Sequence, residues 1–217
     1  MTNNPKIKIC GVKDIKISKL LLDLNIDFIG LNFIEKSSRF ISHEQGEKIT
    51  DEISLYGKKI GAKINIVGLF ENHKVEYVNS IIKKLNLDYV QLCGSEDYKY
   101  SKKINAPIIK MIHIKDDEKK EFIEFQIKSS QQYADYIILD TFSSSSKGGT
   151  GKIFNWEKFQ DLFNKEIFIA GGLNPDNISE FNKIYNPWGV DVASGVEINK
   201  RKDVSKIKAF IENLNSK

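Results

Sequence analysis

Residues 140–156 read DTFSSSSKGGTGKIFNW. Four serines followed by Gly-Gly-Thr-Gly have the composition of a tether between two domains. A glycine cluster beside a lysine is also how backbone amides cradle a phosphate, and the stretch is then a loop inside one domain. What flanks it decides between the two readings.

Immediately before it, YIILDT from Tyr136 is an apolar run rich in β-branched residues, and after it EIFIAGG from Glu166 is another, with a helix expected to begin near Asn155. Farther out the same unit recurs, with strands predicted at KIKICG from Lys6, FIGLNF from Phe28, NIVGLF from Asn65, YVQLCG from Tyr89, PIIKMIHI from Pro107 and GVDVASG from Gly189. Several of these runs are almost continuously apolar, as in parallel strands covered on both faces. Between them, segments such as HKVEYVNSIIKKLN from His73 and DVSKIKAFIENL from Asp203 space apolar residues three and four apart, the pattern of helices with one buried face.

Eight such units in 217 residues leave roughly 27 residues each, which predicts an α/β fold of the (β/α)8 barrel type with residues 1–217 as one domain. An open doubly wound sheet is the competing arrangement, but its G-x-G-x-x-G signature is missing. The first strand ends in Cys10-Gly11-Val12-Lys13, and the third glycine required after Gly149 and Gly151 falls on Phe154. A Walker loop fails too, since Ile153 follows Lys152. The serine–glycine stretch is therefore read as a loop within one repeat unit.

The composition, 41% hydrophobic and 29% charged, fits a globular chain. Its 33 basic and 29 acidic residues are interspersed, so the net charge of +4 forms no dense basic stripe; a small anion is the expected partner and nucleic acid is not. The first residues lack the pattern of a signal peptide and no apolar run is long enough to cross a bilayer, so a cytoplasmic location without a membrane partner is expected. Cys10 and Cys93 are far apart and the three histidines are scattered, which predicts neither a disulfide framework nor a metal site. Monomer and homodimer both stay open, because one sequence does not reveal which helix faces pair.

In such a barrel the active site forms at the carboxyl ends of the strands. That rule selects Cys10, Arg39, Cys93, Asp140, Gly171-Gly172 and Ser194-Gly195. A cysteine in an apolar strand is ordinarily a small buried hydrophobe, and an aspartate after a strand is ordinarily a turn or cap. Facing one pocket together, a thiol and a carboxyl can act as base and acid. After the diglycine, Asn174 is placed to cap a helix with Pro175 at its first position, and the amides behind it, with those of Ser194 and Gly195, suit a phosphate.

These residues resemble the phosphoribosylanthranilate isomerase family along nearly the whole chain: KICG, GLNF followed by SSR, VGLF, DYVQLCG, ILDT, GGTGKIFNW, IAGGLNPDNI, and DVASGVE with a later KD. The resemblance implies a TIM barrel of the ribulose-phosphate-binding type. It also implies an Amadori rearrangement in tryptophan biosynthesis that converts a phosphorylated aminosugar, N-(5-phosphoribosyl)anthranilate, into the open-chain ketose without metal or organic cofactor. On this resemblance Cys10 is the general base and Asp140 the general acid. Asp140 must then carry a proton to open the furanose ring, and Cys10 works best where a neighbour lowers its thiol. Arg39 would pair with the anthranilate carboxylate, Gly171, Gly172, Ser194 and Gly195 would hold the phosphate, and Gly148, Gly149 and Gly151 would close over the substrate. Three positions depart from the family pattern: Cys93 stands where a histidine is usual, Ser38 where a proline is usual, and NKRKD lacks the glycine expected before KD. A sister synthase of the same pathway would need a catalytic lysine where the first strand presents Cys10. The other alternative is a catalytically silent barrel that binds sugar phosphates, against which the presence of both Cys10 and Asp140 argues.

Overall fold

The computed structural model describes residues 4–115, 117–142, 156–163 and 166–216. Eight parallel strands close into a barrel in sequence order, β1 (Lys6–Cys10), β2 (Phe28–Asn32), β3 (Asn65–Phe70), β4 (Tyr89–Leu92), β5 (Ile108–Lys115), β6 (Tyr136–Phe142), β7 (Ile167–Ala170) and β8 (Gly189–Val192), with β8 pairing back to β1. The strands are those the apolar runs predict, and the (β/α)8 expectation holds.

Alternation along each strand sorts side chains between two cores. On β1, Ile7 and Ile9 belong to the layer between sheet and helices, whereas Cys10 belongs to the barrel interior. The helices α1 (Ile15–Asp23), α2 (His43–Ile60) and α3 (Val75–Leu85) cover the first strands. Asp14 caps α1 by accepting from the Lys16 amide at 2.7 Å, and Ser42 caps α2 by accepting from Gln45. Helix α2 stops at Gly61, whose φ of +71° suits glycine.

Two connections are reduced. Between β4 and β5 there is only a single turn, α4 (Tyr98–Ser101), capped by Asp97. Behind β6 the described part of the connection is a 3₁₀ helix, Trp156–Leu162, where an α-helix was expected; its Trp156, Phe159 and Leu162 still bury against the core. The ring is completed by α5 (Lys120–Ser130), α6 (Ile178–Tyr185) and α7 (Val204–Asn215). After β8 a 3₁₀ turn, Ser194–Val196, leads into a small antiparallel hairpin, β9 (Glu197–Ile198) and β10 (Arg201–Lys202). No helix among the described residues is long and apolar enough to cross a membrane.

The barrel interior is filled, not open. At the amino-terminal end Phe28, Tyr89, Tyr136, Phe168 and Trp188 form a plug, with neighbouring ring centroids 5.0 to 5.9 Å apart. Above it Lys8 of β1 and Asp191 of β8 form an ion pair at 3.0 Å, both essentially inaccessible to solvent. Within the barrel the carboxyl-terminal end is concave, and this is where the strand-end residues can do chemistry.

Candidate active site

That concavity is a cavity of about 560 Å³, within the range of roughly 300–1,000 Å³ usual for small-molecule sites. Side chains from the ends of β1, β2, β5, β6 and β8 reach it as Cys10, Asn32, Met111, His113, Asp140 and Asp191, and the segments after β7 and β8 add Gly171, Gly172 and Ser194. Cys10, Asp140, Arg39, Gly171, Gly172 and Ser194 are therefore brought together as the strand-end rule predicts. Gly195 lies beside them, in a second cavity of about 480 Å³ that shares Ser194 and is also lined by Ser205 and Lys206. Gly148, Gly149 and Gly151 lie outside the described residues.

Cys10 closes β1 above the Lys8–Asp191 pair and is almost completely buried. Burial pushes its thiol above the ordinary value of 9.0, against the pull of Lys8, Lys202 and Arg39 in the other direction. The expected lowered thiol is thus corrected: desolvation outweighs all three cations. Burial works against the Lys8 ammonium, but Asp191, with Cys10 and Cys93 adding to it, outweighs burial and holds Lys8 above its ordinary value.

Arg39 is aimed by its loop. Asn32 accepts from the Ile34 amide at 2.8 Å and donates to Ser37 Oγ, which accepts from the Arg39 amide. The Ser38 carbonyl accepts from Lys13 Nζ at 3.0 Å, which holds the same loop from the β1 side. Gly11, at φ +74°, lets the arginine stem cross the end of β1, since a Cβ there would stand 2.3 Å from Arg39 Cδ. The guanidinium, however, is already forked onto Glu197, with Nε and Nη2 each 2.8 Å from a carboxylate oxygen. A substrate carboxylate can meet only the remaining edge, formed by the Nη1 hydrogens and the second Nη2 hydrogen. Glu197 also accepts from Lys202 at 2.8 Å, and the β9–β10 hairpin sets these two side by side.

The anion-binding region also differs from expectation. Helix α6 starts at Ile178, not at Pro175. Asn174 Oδ1 instead accepts from the amides of Asp176, at 2.8 Å, and Asn177, at 3.2 Å, so it closes a turn and occupies the amides assigned to a ligand. The loop segments around Gly172 and Ser194-Gly195 are what remains for an anion. They touch at Gly195, where a Cβ would fall 1.9 Å from the Leu173 carbonyl oxygen.

Sequence reasoning missed several site residues. His113 Nδ1 lies 3.4 Å from Asp140 Oδ2, and this contact, ahead of the opposing effect of burial, raises the imidazole above its ordinary value of 6.5. Cys93 brings no imidazole on β4 and instead accepts from Gln91 Nε2 at 3.4 Å, but the next strand supplies one. The inward alternation Ile109, Met111, His113 was the available signal. Lys8 and Asp191 could have been found as charges flanked by apolar residues on strands that a closed barrel makes neighbours.

The model of the N-(5'-phosphoribosyl)anthranilate (PRA) isomerase family matches residues 7–213. The chain belongs to this family. An N-(5'-phosphoribosyl)anthranilate isomerase of Thermoanaerobacter sp. is 40% identical over 212 residues, covering 96% of this chain and 97% of that one. The crystal structure of the Thermotoga maritima isomerase superposes with a TM-score of 0.80 at 30% identity, covering 97% of this chain and 98% of that one. Another PRA isomerase structure, at TM-score 0.76, 28% identity and the same coverage, holds reduced 1-(o-carboxyphenylamino)-1-deoxyribulose 5-phosphate.

Proposed function

We propose that this chain isomerises N-(5'-phosphoribosyl)anthranilate to 1-(o-carboxyphenylamino)-1-deoxyribulose 5-phosphate, the Amadori step of tryptophan biosynthesis. The observation that carries the reading is one cavity lined by both Cys10 and Asp140, in a chain of this family. The related structure that holds a reduced form of the product supports the same ligand chemistry here.

Asp140 gives its proton to the furanose ring oxygen as the C1–O bond breaks, and the anilino nitrogen lone pair forms a Schiff base. Cys10, as thiolate, removes the proton from C2, and the electrons move to give an enolamine. Protonation at C1 and loss of the C2 hydroxyl proton produce the ketone, so atoms and charge balance over the cycle. Lys8, buried beneath Cys10, favours the thiolate at the moment it is needed. The phosphate lies against Gly172, Ser194 and Gly195 with Lys206 near, and the anthranilate carboxylate meets the remaining edge of Arg39.

The test is an assay with freshly generated phosphoribosylanthranilate, whose fluorescence decay should accelerate when the protein is added. Cys10→Ser and Asp140→Asn should each lower turnover at least about a hundredfold with the fold intact by circular dichroism. Near wild-type turnover in both variants sinks the mechanism, and no acceleration by the wild-type protein sinks the function.

A further inference from the structure

The steps above leave His113 unused. The β5–β6 register sets it directly beside Asp140, and both side chains line the same cavity. They are also ordered with respect to solvent, the imidazole being 50% exposed and the carboxyl 27%. An acid that has delivered its proton must be refilled before the next turnover, and a carboxyl in a substrate-filled pocket needs a route to water.

We propose that His113 is the positioning and proton-supplying partner of Asp140, linking the acid to solvent. This rests on the isomerase reading. In the cycle the Nδ1–H bond of the imidazolium breaks as Asp140 gains the proton, and the carboxyl O–H bond breaks as the ring oxygen is protonated. The neutral imidazole then takes back a proton from water. Because the C2 hydroxyl gives up one proton on becoming the ketone, the cycle needs none from elsewhere.

The surroundings suit an imidazolium. Asp140 faces the ring from β6, the backbone of Cys93 from β4, and Glu71 from the end of β3, itself paired with Lys36 at 2.8 Å. Deeper in the barrel, burial raises the Asp191 carboxyl of β8, and Asp140 adds to that shift. Apart from Lys36, whose charge is spent on Glu71, these groups are neutral or acidic. The raised imidazole agrees with this geometry.

The experiment compares the pH profile of kcat/KM for the wild type and His113→Asn, whose amide keeps a donor near the position of Nδ1 but cannot titrate. The wild type should show an inflection above the ordinary imidazole value of 6.5. In His113→Asn that inflection should move to acid by about one pH unit or more, with kcat at neutral pH at least about tenfold lower and KM within about twofold. Unchanged inflections and kcat overturn the proposal and reduce His113 to scaffolding. Independently of turnover, NMR titration of the His113 ring should give a midpoint above 6.5 that falls in Asp140→Asn; a midpoint that does not move overturns the pairing. An inactive wild-type protein overturns the isomerase reading and the relay with it, while the NMR titration still reports the pair, so the two failures are distinguishable.

Discussion

Lys8 has no access to solvent, and its ammonium is compensated by Asp191 at 3.0 Å. A buried pair of this kind is weak evidence of net stabilisation, because desolvation of both charges offsets their attraction, but removing one partner leaves the other uncompensated. Lys8→Met is therefore expected to destabilise the protein by roughly 3–5 kcal/mol, a large part of the roughly 5–15 kcal/mol that holds a typical domain. The double variant Lys8→Met/Asp191→Leu should recover most of that loss in urea unfolding. If the double variant unfolds as early as the single one, the interior pair is stabilising in its own right. Both single and double variants should lose turnover, since Lys8 is the leading cation acting to lower the Cys10 thiol. The separation of the two readouts, stability restored and activity not, is what a functional reason for a charge inside the barrel predicts.

The hairpin formed by β9 and β10 turns through Asn199 and Lys200, at φ +51° and +61°, the two left-handed residues of a type I′ turn. Asparagine accepts that conformation readily and lysine does not, at a cost of roughly 1–2 kcal/mol. Lys200→Gly should therefore stabilise the protein by about 1 kcal/mol, read as a higher urea midpoint, with turnover unchanged. A lower midpoint would mean that the turn is held by something other than backbone preference. The same hairpin marks the limit of what the sequence discloses. Each barrel strand is a run of apolar residues, and that pattern survives without tertiary information; strands of two residues, such as Glu197–Ile198, have no periodicity to read. Cys10, Asp140 and the diglycine were legible because the barrel rule assigns function to strand ends. The start of α6 was misplaced because Asn174 can close a turn as well as cap a helix, and sequence does not distinguish the two. The grip of Glu197 on Arg39 joins residues 158 positions apart, so it depends on closure of the barrel.

At the scale of the whole molecule, closure gathers charges from distant segments into one rim, and their shifted ionisation ties stability to pH. For Glu197 burial alone would raise the carboxyl, but hydrogen bonds from Arg39 and Lys202 outweigh it and hold it below its ordinary 4.5. A carboxyl lowered on folding contributes stability above its unfolded value and loses it as pH falls through the folded one. His113 runs the other way: its raised imidazole contributes fully below 6.5 and loses that contribution as pH rises through the folded value. Both contributions are complete only between those two ordinary values. Thermal unfolding followed from pH 3 to 9 should show Glu197→Gln less stable than the wild type above about pH 5, with the gap closing as the carboxylate protonates. His113→Asn should be less stable at pH 6 and converge with the wild type in the alkaline range, by a smaller amount, because half of the imidazole is open to solvent and its contact with Asp140 is screened. A Glu197→Gln gap that stays constant down to pH 3 would place the value of that side chain in its hydrogen bonds and not in its charge, and the rim would then be a packing device in place of an electrostatic one.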